Sequence, residues 1–227
     1  MAVLTHPHWE ALTPVTRQAF QQVRRFVALP RFYLAGGTGL ALHLGHRFSV
    51  DLDFFSADAT AVGPDDRAGL RATFDDPSLV ITYDQDATFV ANWQGVGVSF
   101  FRLNLYPLVQ EPLLVDDVQL ATVSEIGAMK LAAIIGRGTR KDLVDLYFIL
   151  QKVSLHAIFE VAAVKYATNH SFPVSAIRAL AYFPDAESLP MPQMIDRTPW
   201  PEMKRLLEQQ ALEAGRNRLA DLWDQTP

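Results

Sequence analysis

The sequence predicts an α+β chain, with a sheet flanked by helices in its N-terminal half and a helical unit after it. Three observations carry this expectation. Residues 79–106 are β-rich and broken by short turns; beyond Pro107 and Pro112 an apolar pattern of helical period persists almost to the end; and a glycine pair and an aspartate pair stand among short apolar runs near the start. The expected division is residues 1–115 for an α/β core and 116–227 for a helical C-terminal unit.

The elements follow in order. Thr13-Pro14 reads as an N-cap followed by proline at the first helical position. Val15, Ala19, Phe20, Val23, Phe26 and Val27 then recur at helical spacing up to Pro30, which predicts an amphipathic helix. Residues 32–35 read as a short buried strand, 39–44 as a short helix, 49–55 as a second strand and 65–74 as a helix. Residues 79–85, 87–93 and 96–106 predict three strands that extend the sheet as a meander. Thr122 with Glu125 reads as a capping box ahead of an apolar helix, which Gly136 and Gly138 end. A second helix is expected from Lys141 to Leu150, and further ones over 156–167, 174–182 and 203–223, separated by prolines.

Composition bounds the chemistry. With 227 residues and 49% hydrophobic content the chain can fill a core. It has no cysteine, so disulfides, thiolate metal sites and cysteine nucleophiles are excluded, and any metal must take oxygen or imidazole ligands. A formal net charge of −5 argues against a broad nucleic-acid surface, since counterion release needs many cations facing phosphate. Local basic clusters remain at Arg17, Arg24, Arg25 and Arg31 and at Arg137, Arg140 and Lys141; on helices such clusters are most often solvated faces. No apolar run approaches the ~20 residues that a membrane span needs, and a cytoplasmic protein without a membrane partner is expected.

Two constellations carry chemistry. Gly36-Gly37-Thr38 lies between an apolar run and a helical segment, where backbone N–H groups at a helix N-terminus welcome an anion. Asp51 and Asp53 sit two apart in an expected strand, so their carboxylates leave one face. A strand with one wet face would read the same way, and a glycine pair is often only a turn. Together, however, the two motifs predict handling of a nucleoside triphosphate, with Asp51 and Asp53 holding magnesium or manganese, because paired carboxylates repel unless a cation neutralises them. Arg47 precedes the aspartates and could grip the triphosphate or pair with an aspartate. His43 and His46 read as helix and loop residues rather than ligands. In the second constellation, Lys130 interrupts an apolar helix, and Asp145 lies in a helix apolar nearly all round. Either a Lys130–Asp145 or Arg140–Asp145 bridge ties two helices together, or Lys130 meets phosphate and Asp145 serves the nucleotide, the metals or a proton.

Gly36-Gly37-Thr38 with Arg47, Asp51 and Asp53 resembles the first motif of the nucleotidyltransferase superfamily. Residues 125–130 and the run Arg137-Gly138-Thr139-Arg140-Lys141-Asp142-Leu143-Val144-Asp145-Leu146-Tyr147 are similar to the AbiEii/AbiGii toxin family. The resemblance covers residues from about 30 to 150. It implies a polymerase-β-like mixed sheet and a toxin of a type IV toxin–antitoxin or abortive-infection system. Such a toxin moves a nucleoside monophosphate from an NTP to a hydroxyl acceptor, an RNA, a tRNA or a protein, and implies a cognate antitoxin. By position, Gly36, Gly37, Thr38, Arg47 and Lys130 would bind nucleotide, Asp51 and Asp53 the metals, and Lys130 and Asp145 would join the aspartates in catalysis. Many polymerase-β-like transferases add a third carboxylate from a neighbouring strand; residues 98–105 contain none. The alternatives are an NTP-binding or interaction module with weakened chemistry, and a metal phosphohydrolase that uses the same aspartates.

Overall fold

The computed structural model describes residues 1–224, which form two compact units divided between Ile126 and Gly127. In the first unit, β1 (Tyr33–Leu34), β2 (Leu52–Ser56), β3 (Leu79–Gln85), β4 (Thr88–Trp93), β5 (Val96–Arg102), β6 (Leu113–Val115) and β7 (Val118–Leu120) build one sheet. The strand order is β3-β4-β5-β2-β1-β7-β6. It is a mixed sheet: β2 runs antiparallel to β1 and parallel to β5, and β1 runs parallel to β7. The expected meander is present as the antiparallel succession β3, β4, β5.

Three α-helices belong wholly to this unit: α1 (Pro14–Val23), α2 (Gly36–Leu44) and α3 (Pro64–Thr73). Thr13 caps α1 by accepting the Thr16 N–H at 3.1 Å, with Pro14 at the first helical position, as the sequence predicts. The apolar stripe of α1 buries Ala19, Phe20 and Val23 in a core that includes Phe26, Phe32, Phe54 and Phe100. Phe54 stacks on Phe100 at 4.8 Å, and Phe32 meets the same ring edge-on at 5.1 Å. Strand alternation sends Leu52 and Phe54 into this core, which turns Asp53 and Phe55 to the other face.

Several details differ from the sequence expectations, among them the strand expected over 96–106, which ends at Arg102. Helix α2 starts at Gly36, so the glycine pair forms its first turn instead of preceding it. Strand β2 starts at Leu52, which leaves Asp51 one residue ahead of it. Only half of the capping box forms in the expected way: Thr122 accepts the Glu125 N–H at 3.1 Å, whereas the buried Glu125 carboxylate accepts the N–H groups of Val109 and Gln110. Residues 113–120 form a hairpin, β6–β7, where the helical pattern was expected to begin. Because β7 adds to β1, the first unit extends past residue 115 to Ile126.

Helix α4 (Val123–Gly136) contains the division between the units. The second unit continues with α5 (Arg140–Leu150), α6 (Leu155–Lys165), α7 (Phe172–Leu180), α8 (Pro184–Glu187) and α9 (Trp200–Asp224). Val144, Tyr147 and Met203 form a core here with Trp200 packed against it. The Arg140 fork donates to the carbonyls of Ala186 and Glu187, both at 2.8 Å, and its guanidinium lies over the Trp200 ring at 5.3 Å. Among the described residues no single helix is long and apolar enough to cross a membrane.

Candidate active site

The turn from β1 into α2 meets the segment that leads into β2, and three successive residues of the first touch three motif residues of the second. A Cβ built on Gly36 would stand 2.7 Å from Asp53 Oδ2, and Gly36 has φ +62°. Glycine is therefore required twice, for the left-handed backbone and for the space that the carboxylate occupies. A Cβ on Gly37 would stand 2.5 Å from Nη2 of Arg47 and 3.1 Å from the Ser49 hydroxyl. Thr38 is wholly buried; its hydroxyl donates to the Asp51 carbonyl and hydrogen-bonds with the Ser49 hydroxyl at 2.9 Å. The side chain of Thr38 thus fixes the chain at Asp51, and its backbone N–H lies in the first turn of α2.

The backbone completes the register. The Ala35 N–H donates to the Asp53 carbonyl at 3.0 Å, and Ala35 is the N-cap of α2 without a side-chain oxygen to cap its first turn. An uncapped first turn beside two carboxylates suits a ligand that carries both negative oxygens and a cation. Arg47 is buried at 6% exposure and donates from Nη1 to the Phe48 carbonyl at 3.0 Å. Asp51 is exposed and Asp53 half-buried.

Across the ladder, Asp53 pairs with Ser99 on β5. A Cβ on the next glycine of that strand, Gly97, would stand 2.7 Å from Asp51 Oδ1. The sequence reading passed over Gly97 and Ser49. The signal for Gly97 was a glycine inside an apolar strand, Val96-Gly97-Val98, which marks a close approach; a serine in a loop carries no such signal. Among the described residues no group of three or more Asp, Glu, His or Cys side chains is placed to hold a metal ion together. His43, on α2, hydrogen-bonds from Nε2 to the Ala121 carbonyl at 2.8 Å, and its burial pushes its pKa down against that bond.

The other two candidates meet each other in the second unit. Lys130 on α4 reaches Asp145 at 2.5 Å and Asp142 at 3.0 Å, both on α5. Both carboxylates are fully buried and Lys130 nearly so. Arg137 forks onto Asp142 with bonds of 2.8 and 3.1 Å, and the Thr139 hydroxyl donates to it at 2.5 Å. Burial alone would raise the pKa of Asp142. The Arg137 hydrogen bond, the Lys130 charge and the Thr139 hydroxyl outweigh it and bring the group down to about 2. Of the two bridges left open by the sequence, Lys130–Asp145 forms, while Arg140 turns to the carbonyls around α8.

The fold agrees with comparisons to known proteins. The model of the nucleotidyl transferase AbiEii toxin family, from type IV toxin–antitoxin systems, matches residues 22–107 and 99–224. An uncharacterized protein of Aquifex aeolicus (strain VF5), aq_aa25, is 34% identical over 175 residues, 75% of this chain and 82% of that protein. Among solved structures, MenT4, a nucleotidyltransferase toxin from Mycobacterium tuberculosis H37Rv, superposes with a TM-score of 0.60 at 14% identity, over 88% of this chain and 83% of that one. JHP933 from Helicobacter pylori gives a TM-score of 0.54 at 17% identity, over 94% and 97% of the two chains. At such identities the structural likeness is one of fold, and the family match across both units supplies the rest: this chain belongs to the AbiEii family of nucleotidyltransferase toxins.

Proposed function

We propose that this nucleotidyltransferase transfers a nucleoside monophosphate from an NTP in a reaction dependent on magnesium or manganese, with the hydroxyl of an RNA, a tRNA end or a protein as acceptor. The observation that carries the reading is the turn in which Gly36, Gly37 and Thr38 lie in succession against Asp53, Arg47 and Asp51. The donor set fits a hard divalent ion. Two carboxylates stand where Gly36 and Gly97 leave room for them, the chain lacks cysteine, and magnesium is commonly held by one or two carboxylates plus waters and substrate phosphates. Asp51 and Asp53 would hold it. Such an ion supplies charge neutralisation and a lower pKa for an acceptor hydroxyl.

The chain's own groups divide the remaining work. The first-turn N–H groups of α2 and the Arg47 fork hold and orient the triphosphate. The acceptor oxygen attacks the α-phosphorus in line; its bond to phosphorus forms as the bond to the bridging oxygen breaks, and pyrophosphate leaves. The family resemblance of their motifs gives Lys130 to the phosphates of the leaving group and Asp145 to the nucleotide, the metals or a proton. A cognate antitoxin and a cytoplasmic setting, where NTP and acceptor are both at hand, belong to the same reading. Its test is incubation with each α-labelled NTP, total RNA and cell lysate in magnesium, in manganese and in chelator. Label on RNA or protein only with metal is the expected result. Equal transfer in chelator would overturn the metal requirement, and label confined to free monophosphate would indicate a phosphohydrolase.

A further inference from the structure

We propose that Asp142 is a positioning residue for the transfer reaction: it holds the Lys130 ammonium beside Asp145, and Arg137 and Thr139 hold Asp142 in turn. The inference rests on the reading of Lys130 as part of the catalytic machinery. Both oxygens of Asp142 are engaged. Oδ2 accepts from Arg137 Nε at 2.8 Å and from the Thr139 hydroxyl at 2.5 Å; Oδ1 accepts from Arg137 Nη2 at 3.1 Å and from Lys130 Nζ at 3.0 Å. A carboxylate fixed by four bonds has one orientation. The oxygen shared by Arg137 and Lys130 therefore sets where the ammonium stands.

That restraint matters because a lysine head on a four-carbon stem is otherwise free to turn. With one carboxylate fixed at 3.0 Å and Asp145 at 2.5 Å, the ammonium is confined between two points. Stability alone is a weak reason for such a cluster, since apolar residues of similar volume often serve a buried position as well as an ion pair does. The charges also allow an exchange. Two cations face two carboxylates, so if Lys130 turns towards phosphate, Asp142 keeps its bonds from Arg137 and Thr139 and is not left as a bare buried charge. Preorganised machinery has this form, with a working group held by partners whose own positions are locked.

The test is a double-variant cycle on the full chain. Transfer from an α-labelled NTP to total RNA and lysate protein is measured for wild type, Asp142→Asn, Lys130→Ala and both together, with kcat and the NTP KM referred to folded protein by thermal melting. Asp142→Asn should lower kcat at least tenfold, and the double variant should be no slower than Lys130→Ala alone, because Asp142 acts through Lys130. Effects that multiply, or an Asp142→Asn protein that melts lower yet keeps its kcat, would overturn the proposal. Full transfer by Lys130→Ala would remove the reading of Lys130 itself, and the positioning role with it. If Asp142→Asn does not fold, Arg137→Gln enters the same cycle with the same outcomes, since the Arg137 side chain is 58% exposed and its replacement leaves Asp142 its bonds from Lys130 and Thr139.

Discussion

Glycine at positions 36 and 97 is a requirement of two carboxylates. Adding one methyl at either place puts carbon 2.7 Å from a carboxylate oxygen, and neither clash is with a distant flexible tip, because aspartate has a single methylene before its carboxyl group. Gly97→Ala should therefore displace Asp51 and cut label transfer at least tenfold, with the melting temperature little changed. Gly36→Ala should also lose about 1–2 kcal/mol of stability, because alanine resists φ +62°. Wild-type transfer by both alanine variants would show that the carboxylates need not stand where they do. Asp142 gives a pH prediction. Its folded pKa of about 2 lies below the ordinary 3.8, so it contributes stability above pH 4, about 2 kcal/mol at most, which is lost as pH falls towards 2. In denaturant titrations the gap between wild type and Asp142→Asn should accordingly narrow from pH 5 to pH 2; a constant gap would mean that the ion pairing is not its source.

At the scale of elements, what could be read in the sequence depended on how local the signal was. The α1 cap is set by adjacent residues, Thr13, Pro14 and Thr16, and forms as read. Thr13→Ala should accordingly cost about 1 kcal/mol in chemical denaturation. The meander is also local, with short turns between strands of clear β character. The β6–β7 hairpin was hidden for the opposite reason. Its strands have three residues each, too few for a visible period, and β7 is held by parallel pairing to β1, more than eighty residues earlier. Its turn residues, Asp116 and Asp117, have φ +45° and +65°, the pattern of a tight hairpin turn that favours glycine second. Asp117→Gly should raise stability by a few tenths of a kcal/mol to about 1, and its exposed pairing with Arg24 is too solvated to offset this. A lower melting temperature would count against that turn geometry. The same distinction applies within the site. Gly36-Gly37-Thr38 and Asp51-x-Asp53 were legible as motifs, but the pairing of each glycine with its own partner, and the part of Gly97, came from tertiary approach. Arg140 shows the limit of charge pattern, since its acceptors are carbonyls forty-six and forty-seven residues away.

For the whole molecule, the family assignment gives a nucleotidyltransferase, and the acidic balance argues against a broad nucleic-acid surface. The first unit carries the glycine motif in the first turn of α2 and the aspartates at the start of β2, and the second carries buried Lys130, Asp142 and Asp145 with the exposed Arg137 forked onto Asp142. The central claim is that the Asp51–Asp53 pair carries the chemistry. The most direct measurement is label transfer from each α-labelled NTP, with magnesium, total RNA and lysate, by wild type and by an Asp51→Ala/Asp53→Ala protein whose melting temperature shows it folded. Label moved to RNA or protein by wild type and absent with the variant is the predicted result. Transfer that persists in the folded variant would contradict the claim, and so would a wild type that is stabilised by NTP and magnesium yet moves no label.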